Sequence, residues 1–272
     1  MIMERGQESI KRNARGIDGY RARSRIIICL AILSVPWAGW SADTQNQNNR
    51  LVIIGVTANA APELVDQALA AGHEVIGVTR KPDTVKTKHE RFTAVYGDAY
   101  DIDSIADLLT GDEVVVSYID IAFPFGPEIP PGVDLFSRGT MNIIEAMKRK
   151  GNRRLIVASN MTAQHIVLDK PADDAPLSDR LAWNRRHKYA DVRLMETIIE
   201  GSELDYIILR LPHLVNAAAT GNTNIVVNKN AFNIAVKGQN PSRNLTLGDL
   251  AAFILKQMNS DEYLETTVGL YN

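Results

Sequence analysis

The most constraining feature of this sequence is a strand that runs directly into a helix at residues 51–62, Leu-Val-Ile-Ile-Gly-Val-Thr-Ala-Asn-Ala-Ala-Pro. In doubly wound α/β proteins, such a strand–turn–helix presents backbone N–H groups and a helix N-terminus to a diphosphate. A dinucleotide turn of the form G-x-x-G-x-x-G would place glycines at 55, 58 and 61, where this chain has Gly55, Ala58 and Ala61. The alanine at 58 adds a methyl group on the diphosphate's path, and the alanine at 61 thickens the helix–strand contact. Weakened binding and lost binding are both compatible with this turn.

From residue 51 onward, strand patterns alternate with helix patterns. We predict strands at 51–57, 73–79, 92–96, 113–119, 155–159, 206–211 and 267–271. We predict helices at 62–72, 102–109, 141–151, 191–200 and, after an opening turn, 245–258. This alternation predicts an α/β fold with a doubly wound parallel sheet of the Rossmann type, in a single domain at residues 51–272. Ligands in such sheets bind at the carboxyl ends of the strands.

The first fifty residues differ from the rest of the chain. Residues 11–25 are rich in Lys and Arg, residues 26–40 are apolar and uncharged, and small residues follow. This order is typical of a secretory signal peptide, and the apolar run is short for a membrane span of roughly 20 residues. We therefore predict a signal peptide or N-terminal anchor at 1–42, a polar linker at 43–50, and export to the periplasm. The alternatives are an uncleaved anchor, or a misassigned start that leaves a cytoplasmic protein with a buried helix.

Charge and cysteine content exclude several classes of function. The net charge is −2, with 30 Lys and Arg against 32 Asp and Glu, which argues against binding to nucleic acid or to a membrane surface. The single cysteine, Cys29, lies in the apolar run, so a mature chain would have no disulfide, catalytic thiolate or cysteine-ligated zinc. The five histidines form no metal-binding pair in the sequence, and we predict no metal. A membrane contact is expected only through an uncleaved N-terminal segment.

The loops that follow the predicted strands carry the candidate cofactor contacts. An acidic residue about 20 positions beyond the first turn selects the ribose hydroxyl of NAD, but the second strand ends in Thr79, Arg80 and Lys81. Two adjacent cations suit a ribose 2′-phosphate, so we predict NADP, with NAD and no bound cofactor as alternatives. A solvated strand end would explain the same pair, and Asp98 could bind adenine or cap a turn. The predicted cofactor-binding residues are Gly55, Thr57, Ala58, Asn59, Ala60, Ala61, Arg80, Lys81, Gly97, Asp98, Ala99 and Tyr118.

Candidate catalytic residues carry a weaker signal. Tyr189 and Arg193 are four residues apart and would share one face of a helix. They resemble a Tyr-x-x-x-Lys pair, in which a nearby cation lowers the pKa of the phenol for proton transfer. Ser159 ends the fifth strand, where it could orient the group that accepts a hydride. Tyr-x-x-x-Arg pairs also arise by chance, and His187 and His213 are alternative proton donors.

Several longer stretches carry a resemblance to a known family. They are residues 72–80, 97–101, 111–117, 191–195, 201–214 and 248–251. Together they resemble the NAD(P)H-binding atypical short-chain dehydrogenases/reductases, the NmrA-like group, and the C-terminal stretches are similar to those of flavin/biliverdin reductase-type members. The resemblance covers essentially all of 51–272 and implies the Rossmann-type fold. The helix motif of the reductase-type members resembles Asp-His-x-x-Met, where this chain has Asp191, Val192 and Met195.

The resemblance implies an NAD(P)H-binding protein, and we expect an NADP(H)-dependent oxidoreductase that acts on a small hydrophobic acceptor. The substrate would lie under residues 119–125 and 212–214, with Tyr189 donating any proton. Hydride delivery is largely the cofactor's chemistry, so little acid–base machinery is required. One alternative is an exported, non-catalytic Rossmann-fold protein that binds a ligand or partner through a degenerate cofactor site. A second is a sugar-nucleotide epimerase-like enzyme, which an intact Tyr-x-x-x-Lys would favour and this chain lacks.

Overall fold

A computed structural model of the chain describes residues 49–119, 134–160, 172, 174–227 and 244–272, without the side chains at 177 and 180–189. The described residues all belong to one compact unit, Gln45–Asn272. The predicted leader at 1–42 and most of the predicted linker lie outside the described residues, and so do residues 120–125 of the expected substrate-binding segment.

The described residues include ten β-strands. They are β1 Arg50–Ile54, β2 Glu74–Thr79, β3 Phe92–Tyr96, β4 Val114–Ser117, β5 Arg154–Asn160, β6 Asp205–Leu211, β7 His213–Val215, β8 Asn224–Val227, β9 Asn244–Thr246 and β10 Thr266–Tyr271. Eight of them form one sheet in the order β3-β2-β1-β4-β5-β6-β10-β8, and β7 pairs with β9 in a small second sheet. Every neighbouring pair in the large sheet is parallel except β10 and β8. The predicted doubly wound, mainly parallel sheet of the Rossmann type is confirmed.

Five α-helices cover the two faces of this sheet in the described part of the chain. They are α1 Ala61–Ala70, α2 Ile102–Ala106, α3 Leu135–Lys150, α4 Leu177–Glu200 and α5 Leu247–Gln257. Buried apolar residues form two clusters, one with α1 and α5 and the other with α2, α3 and α4. Leu51 and Ile53 of β1 belong to the first cluster, and Val52 and Ile54 belong to the second. Strand β1 is apolar throughout because both of its faces are buried.

The sequence patterns do not predict strands β7, β8 and β9 or the first half of α4. Strand β8 lies at the sheet edge with mostly exposed side chains, so it shows little apolar alternation. Strands β7 and β9 have three residues each. Helix α4 begins at Leu177 rather than at the predicted residue 191, since the preceding segment is rich in charged residues that hide the helical spacing of its apolar ones. No described helix is both long and apolar enough to span a membrane.

The strand order reverses direction at β1, which lies between β2 and β4. At such a reversal, the connections on the two sides leave over opposite faces of the sheet and open a crevice at the carboxyl ends of the strands. The loops that follow β1, β2, β3, β4 and β5 therefore reach the same edge of the molecule. The predicted cofactor contacts lie in the first four of these loops.

A buried carboxylate joins the amino ends of the central strands. Glu113, only 1% exposed, accepts hydrogen bonds from the side chains of Arg50 and Asn152 and from the backbone and hydroxyl of Thr110. Burial alone would raise the pKa of Glu113, but the hydrogen bonds from Thr110 and Asn152 lower it from 4.5 to about 2. The ionised carboxylate therefore stabilises the packing of β1, β4 and the turn after α3.

We predict that Glu113→Gln removes an acid-sensitive part of the stability. The pKa of Glu113 is lower in the folded chain, so its contribution is complete above about pH 4.5 and is lost as the pH falls towards 2. The substitution should lower the free energy of unfolding by about 3 kcal/mol at pH 7 and by much less near pH 2. Urea unfolding across this pH range measures the difference. Glu90→Gln, at a side chain that is 83% exposed, is the control and should change stability by less than about 0.5 kcal/mol.

Candidate functional site

The turn after β1 passes against the end of β4 with no room for a side chain. Gly55 has a φ of +86°, and an ideal Cβ at this residue would lie 2.6 Å from the carbonyl oxygen of Tyr118. The N–H of Gly55 donates to the carbonyl of Val78 at 3.0 Å, and its own carbonyl accepts from the N–H of Ala58 at 2.9 Å. Glycine is required here both by the left-handed backbone and by the close contact. We call residues 55–60 the first turn.

Three backbone amides of the first turn have no acceptor among the described residues. They belong to Thr57, Asn59 and Ala60, immediately before α1. No side chain caps α1, and Pro62 lies at its start, where a missing N–H removes no hydrogen bond. Unpaired amides beside a helix N-terminus favour an anion.

The two alanines that replace the glycines of a dinucleotide turn have different surroundings. Ala61 is fully buried and packs in the apolar cluster of α1 and α5, so its methyl group does not enter the crevice. Ala58 is half-buried and lines the crevice on both sides of the first turn. Only one of the two extra methyl groups therefore faces the space that a diphosphate would occupy, and that space remains open.

A first cavity of about 420 Å³ lies beside the ends of β1, β2 and β3. Nine of the predicted cofactor-binding residues line it, namely Gly55, Thr57, Ala58, Asn59, Arg80, Gly97, Asp98, Ala99 and Tyr118. An ideal Cβ at Gly97 would collide with the side chain of Val78, so the close packing of the strand end requires glycine there. The other three predicted contacts, Ala60, Ala61 and Lys81, do not line this cavity.

The two cations predicted to bind a ribose phosphate have different positions. Arg80 lines the first cavity, is exposed, and forms no ion pair or side-chain hydrogen bond with any described residue. Lys81 lines neither this cavity nor the second cavity described below, and its N–H donates to Oγ1 of Thr79 at 3.3 Å. Oδ1 of Asp98 accepts from the N–H of Tyr100 at 3.0 Å, so this carboxylate caps the turn after β3. Of the predicted cation pair, Arg80 is the one that a ligand in the first cavity can reach.

A second cavity of about 590 Å³ lies on the other side of the first turn and shares Ala58, Asn59, Tyr118 and Ile119 with the first. The remaining lining residues are Ala60, Phe136, Ala158, Ser159, Asn160, Val192, Leu211, Pro212, His213, Leu214, Asn216 and Leu247. Most of the described residues in this lining have apolar side chains. Because of the shared residues, the two cavities are parts of one crevice that crosses the first turn.

Ser159 belongs to a buried polar cluster at the second cavity. Its hydroxyl donates to Oε1 of Glu196 at 2.5 Å. Arg210 donates to the two oxygens of the same carboxylate at 2.9 and 2.7 Å, and Glu196 and Arg210 are only 4% and 8% exposed. The pair joins α4 to β6, and Ser159 lies opposite Arg210 in the register of β5 and β6. Sequence reasoning missed this pair, although a single charge in the apolar strand at 206–211 indicates a buried partner.

The predicted proton-transfer pair on α4, Tyr189 and Arg193, lies only partly within the described residues. Arg193 is exposed and lines neither cavity, so it does not contact a ligand bound in either of them. Tyr189 lies in α4, but its side chain is outside the described residues, as is that of His187. Val192, which takes the place of the histidine in the reductase motif, is buried and adds apolar surface to the second cavity.

Asp191, which also belongs to the reductase-like motif, has a structural position. Its two carboxylate oxygens accept from the N–H groups of Phe136 and Ser137 at 2.8 and 3.2 Å. These groups lie at the N-terminal end of α3, where Asp134 provides no side-chain cap. A carboxylate at this place satisfies free N–H groups and interacts favourably with the helix dipole. Asp191 therefore holds α3 against α4 and so positions Phe136 in the wall of the second cavity.

A family model of NAD(P)H-binding proteins matches residues 55–261, which include the first turn and most of the lining of both cavities. The chain belongs to the NAD(P)H-binding family. The predicted membership in the NAD(P)H-binding atypical short-chain dehydrogenases/reductases is thereby confirmed. A nicotinamide nucleotide is the cofactor of this family, and a small molecule is the expected substrate.

Solved structures share the fold of this family member. A putative NAD-dependent epimerase/dehydratase from Bacillus halodurans is 21% identical, with a TM-score of 0.62 over 82% of this chain and 94% of its own. ChuY, an anaerobillin reductase from Escherichia coli O157:H7, is 18% identical, with a TM-score of 0.59 over 82% of this chain and 96% of its own. The oxidoreductase ylbE from Lactococcus lactis is 17% identical, with a TM-score of 0.58 over 82% of this chain and 90% of its own. These similarities support the Rossmann-type architecture.

The residues of the crevice fit a dinucleotide. Gly55 leaves the first turn without a Cβ, the three unpaired amides would hold the diphosphate, and a cavity on each side has room for one half of the molecule. The methyl group of Ala58 is the only bulk added at the turn relative to glycine. Within the described residues, no group of three or more His, Cys, Asp or Glu could hold a metal ion.

We predict that Gly55→Ala destabilises the protein more than Gly151→Ala does. Both glycines have a φ of +86°, but an ideal Cβ at Gly151 has nothing within 4 Å, whereas one at Gly55 clashes with the backbone of Tyr118. Left-handed strain alone costs about 1 kcal/mol, and overpacking should add roughly 1–3 kcal/mol at Gly55. Guanidinium unfolding of both variants measures the difference. Equal losses would show that the turn moves away from β4 without penalty.

Proposed function

We propose that the protein is an NADP(H)-dependent oxidoreductase that acts on a small hydrophobic acceptor. The observation that carries the proposal is one crevice, divided by the first turn into two cavities, with three amides at the division that have no acceptor in the described part of the chain. A diphosphate bound to these amides would leave the adenosine half in the first cavity and the nicotinamide half in the second.

Arg80 supports NADP over NAD. It follows β2 at the first cavity, where an acidic side chain would be expected for the ribose hydroxyl of NAD. Its guanidinium has no partner among the described residues, and its planar set of donors matches a phosphate. The carboxylate of Asp98 caps a turn and accepts from a backbone N–H, so it does not take the place of that acidic residue.

The apolar lining of the second cavity supports a hydrophobic acceptor. Phe136, Val192, Pro212 and Leu214 belong to this lining. Such side chains offer apolar contact surface to the acceptor. The cofactor, when bound, supplies the hydride, and the chain's own residues position the acceptor.

A proton for the reduced acceptor would come from His213. His213 and Tyr118 are the titratable side chains among the described residues of the second cavity. Burial raises the pKa of Tyr118, whose hydroxyl has no partner among these residues, so the phenol holds its proton firmly. His213 is exposed and lines the cavity, and an imidazole is a common proton donor in enzymes. Tyr189 is the second candidate, from its place in the sequence.

Two of the proteins with the same fold support the choice of reaction class. ChuY is an anaerobillin reductase, and ylbE is an oxidoreductase. The apolar lining of the second cavity is better suited to the acceptor of a reductase than to the sugar of an epimerase. These two descriptions and the lining of the second cavity support the reductase part of the proposal.

We predict that Arg80→Ala weakens NADPH binding about tenfold and leaves NADH binding within about twofold. The substitution removes one charge-assisted contact to a phosphate, which is typically worth about 1.5–3 kcal/mol before solvent screening reduces it. Fluorescence titration of the purified chain with each nucleotide measures both affinities. Lys81→Ala is the matched control, because it removes the adjacent cation, which lines neither cavity, and it should leave both affinities unchanged.

The same titration separates the competing functions. Saturable binding of NADPH at micromolar concentrations supports the oxidoreductase, and equal weakening by Arg80→Ala and Lys81→Ala would remove the assigned role of Arg80. Failure of the wild-type chain to bind either nucleotide at millimolar concentration would favour the non-catalytic binding protein.

We also propose that residues 1–42 direct export to the periplasm. The basic residues 11–25 followed by the apolar residues 26–40 support this proposal. Leu30→Arg, in the apolar run, should keep the full chain in the cytoplasm of a Gram-negative host, whereas Ala22→Arg, in the basic region, should not. Cell fractionation with intact-mass measurement gives the location and any cleavage site. Cytoplasmic recovery of the uncleaved wild-type chain would contradict export.

A further inference from the structure

The hydroxyl group of Ser159 has its hydrogen engaged before any ligand binds. Ser159 lines the second cavity and donates to Oε1 of Glu196 at 2.5 Å. An ionised carboxylate only accepts hydrogen bonds, so the hydroxyl must be the donor in this contact. The oxygen lone pairs of Ser159 are what remains for a ligand in the cavity.

Arg210 fixes the orientation of the Glu196 carboxylate that accepts from Ser159. It donates from Nε and Nη2 to the two oxygens of Glu196 at 2.9 and 2.7 Å, in a pair that is almost fully buried. The bidentate contact orients the carboxylate and stabilises its charge. Glu196 is therefore a positioning residue, because it acts on a ligand only through the orientation of Ser159. Breaking the pair would leave a buried charge without compensation, so the arrangement resists change.

We propose that Ser159 is an acceptor-only contact in the second cavity and that it binds the carboxamide NH₂ of the nicotinamide. This inference rests on the proposed function, which puts the nicotinamide half of the cofactor in the second cavity. The carboxamide NH₂ is the hydrogen-bond donor of the nicotinamide head group, so it is the natural partner for an oxygen with free lone pairs. Glu196 does not compete for this donor, since it lines neither cavity and its oxygens already accept from Arg210 and Ser159.

The proposal reverses the role expected for Ser159 from the sequence. An orienting serine would donate its hydrogen to the carbonyl of the acceptor, but here that hydrogen is held by Glu196. The acceptor's carbonyl must therefore find its donor elsewhere, and the side chains of Asn59, His213 and Asn216 are donors among the described residues of the cavity. Ser159 contributes to the orientation of the cofactor ring instead.

Calorimetric titration with two cofactors tests the proposal without measuring turnover. One cofactor is NADP⁺, and the other is its 3-acetylpyridine analogue, in which a methyl group replaces the carboxamide NH₂. Ser159→Ala should weaken NADP⁺ binding about fivefold, the effect of losing one hydrogen bond, and should leave the affinity for the analogue unchanged. The difference between the two effects isolates the contact, as in a double-mutant cycle.

Two further variants make the result specific. Ser117→Ala removes a buried hydroxyl that has no described partner and lines neither cavity, so both affinities should stay at wild-type values. Ser159→Thr keeps the hydroxyl and should retain the preference for NADP⁺ over the analogue. The Ser159 proposal is overturned if Ser159→Ala weakens both cofactors equally or neither. If the wild-type chain binds neither cofactor, the proposed function fails and this inference fails with it.

Discussion

The approach of the first turn to the end of β4 is the contact on which the crevice depends. Gly55 lies against the carbonyl of Tyr118 at a distance that excludes any Cβ. With a side chain at this position, the turn would have to move away from β4, and the amides of Thr57, Asn59 and Ala60 would move with it. Tyr118 itself lies in the wall shared by both cavities. One backbone contact thus positions the candidate diphosphate site and keeps the two cavities on either side of it.

Buried charges on α4 shape the other half of the site. Asp191 caps α3, and Glu196 pairs with Arg210 of β6, so one face of α4 binds two neighbouring elements. Val192 lies on the same face and lines the second cavity. The described side chains of α4 therefore form part of the wall of the second cavity. The Tyr-x-x-x-Arg pair was predicted on this same helix. Among the described side chains of α4, Val192 lines the second cavity, and Glu196 acts there through the hydroxyl of Ser159.

Most of the large sheet could be predicted because burial on both faces makes its central strands apolar along their whole length. Strand β3 has its predicted bounds, and β1, β4, β5 and β6 differ from theirs by a few residues. The candidate site followed from the same argument, since residues after parallel strands must meet at one edge. The argument failed where burial gives no periodic signal: β8 is an exposed edge strand, and the beginning of α4 is highly charged.

The sequence by itself determined the strand–turn–helix start, the alternation of strands and helices, and the loops from which a cofactor would be bound, because these follow from local propensity and periodicity. Tertiary packing decided between residues that look equivalent in the sequence. Ala61 is buried, whereas Ala58 lines the crevice. Arg80 lines the first cavity, whereas Lys81 does not. Tertiary packing also engaged the hydrogen of Ser159 with Glu196, 37 residues away. Such choices depend on partners that are distant in the chain, and so no local pattern contains them.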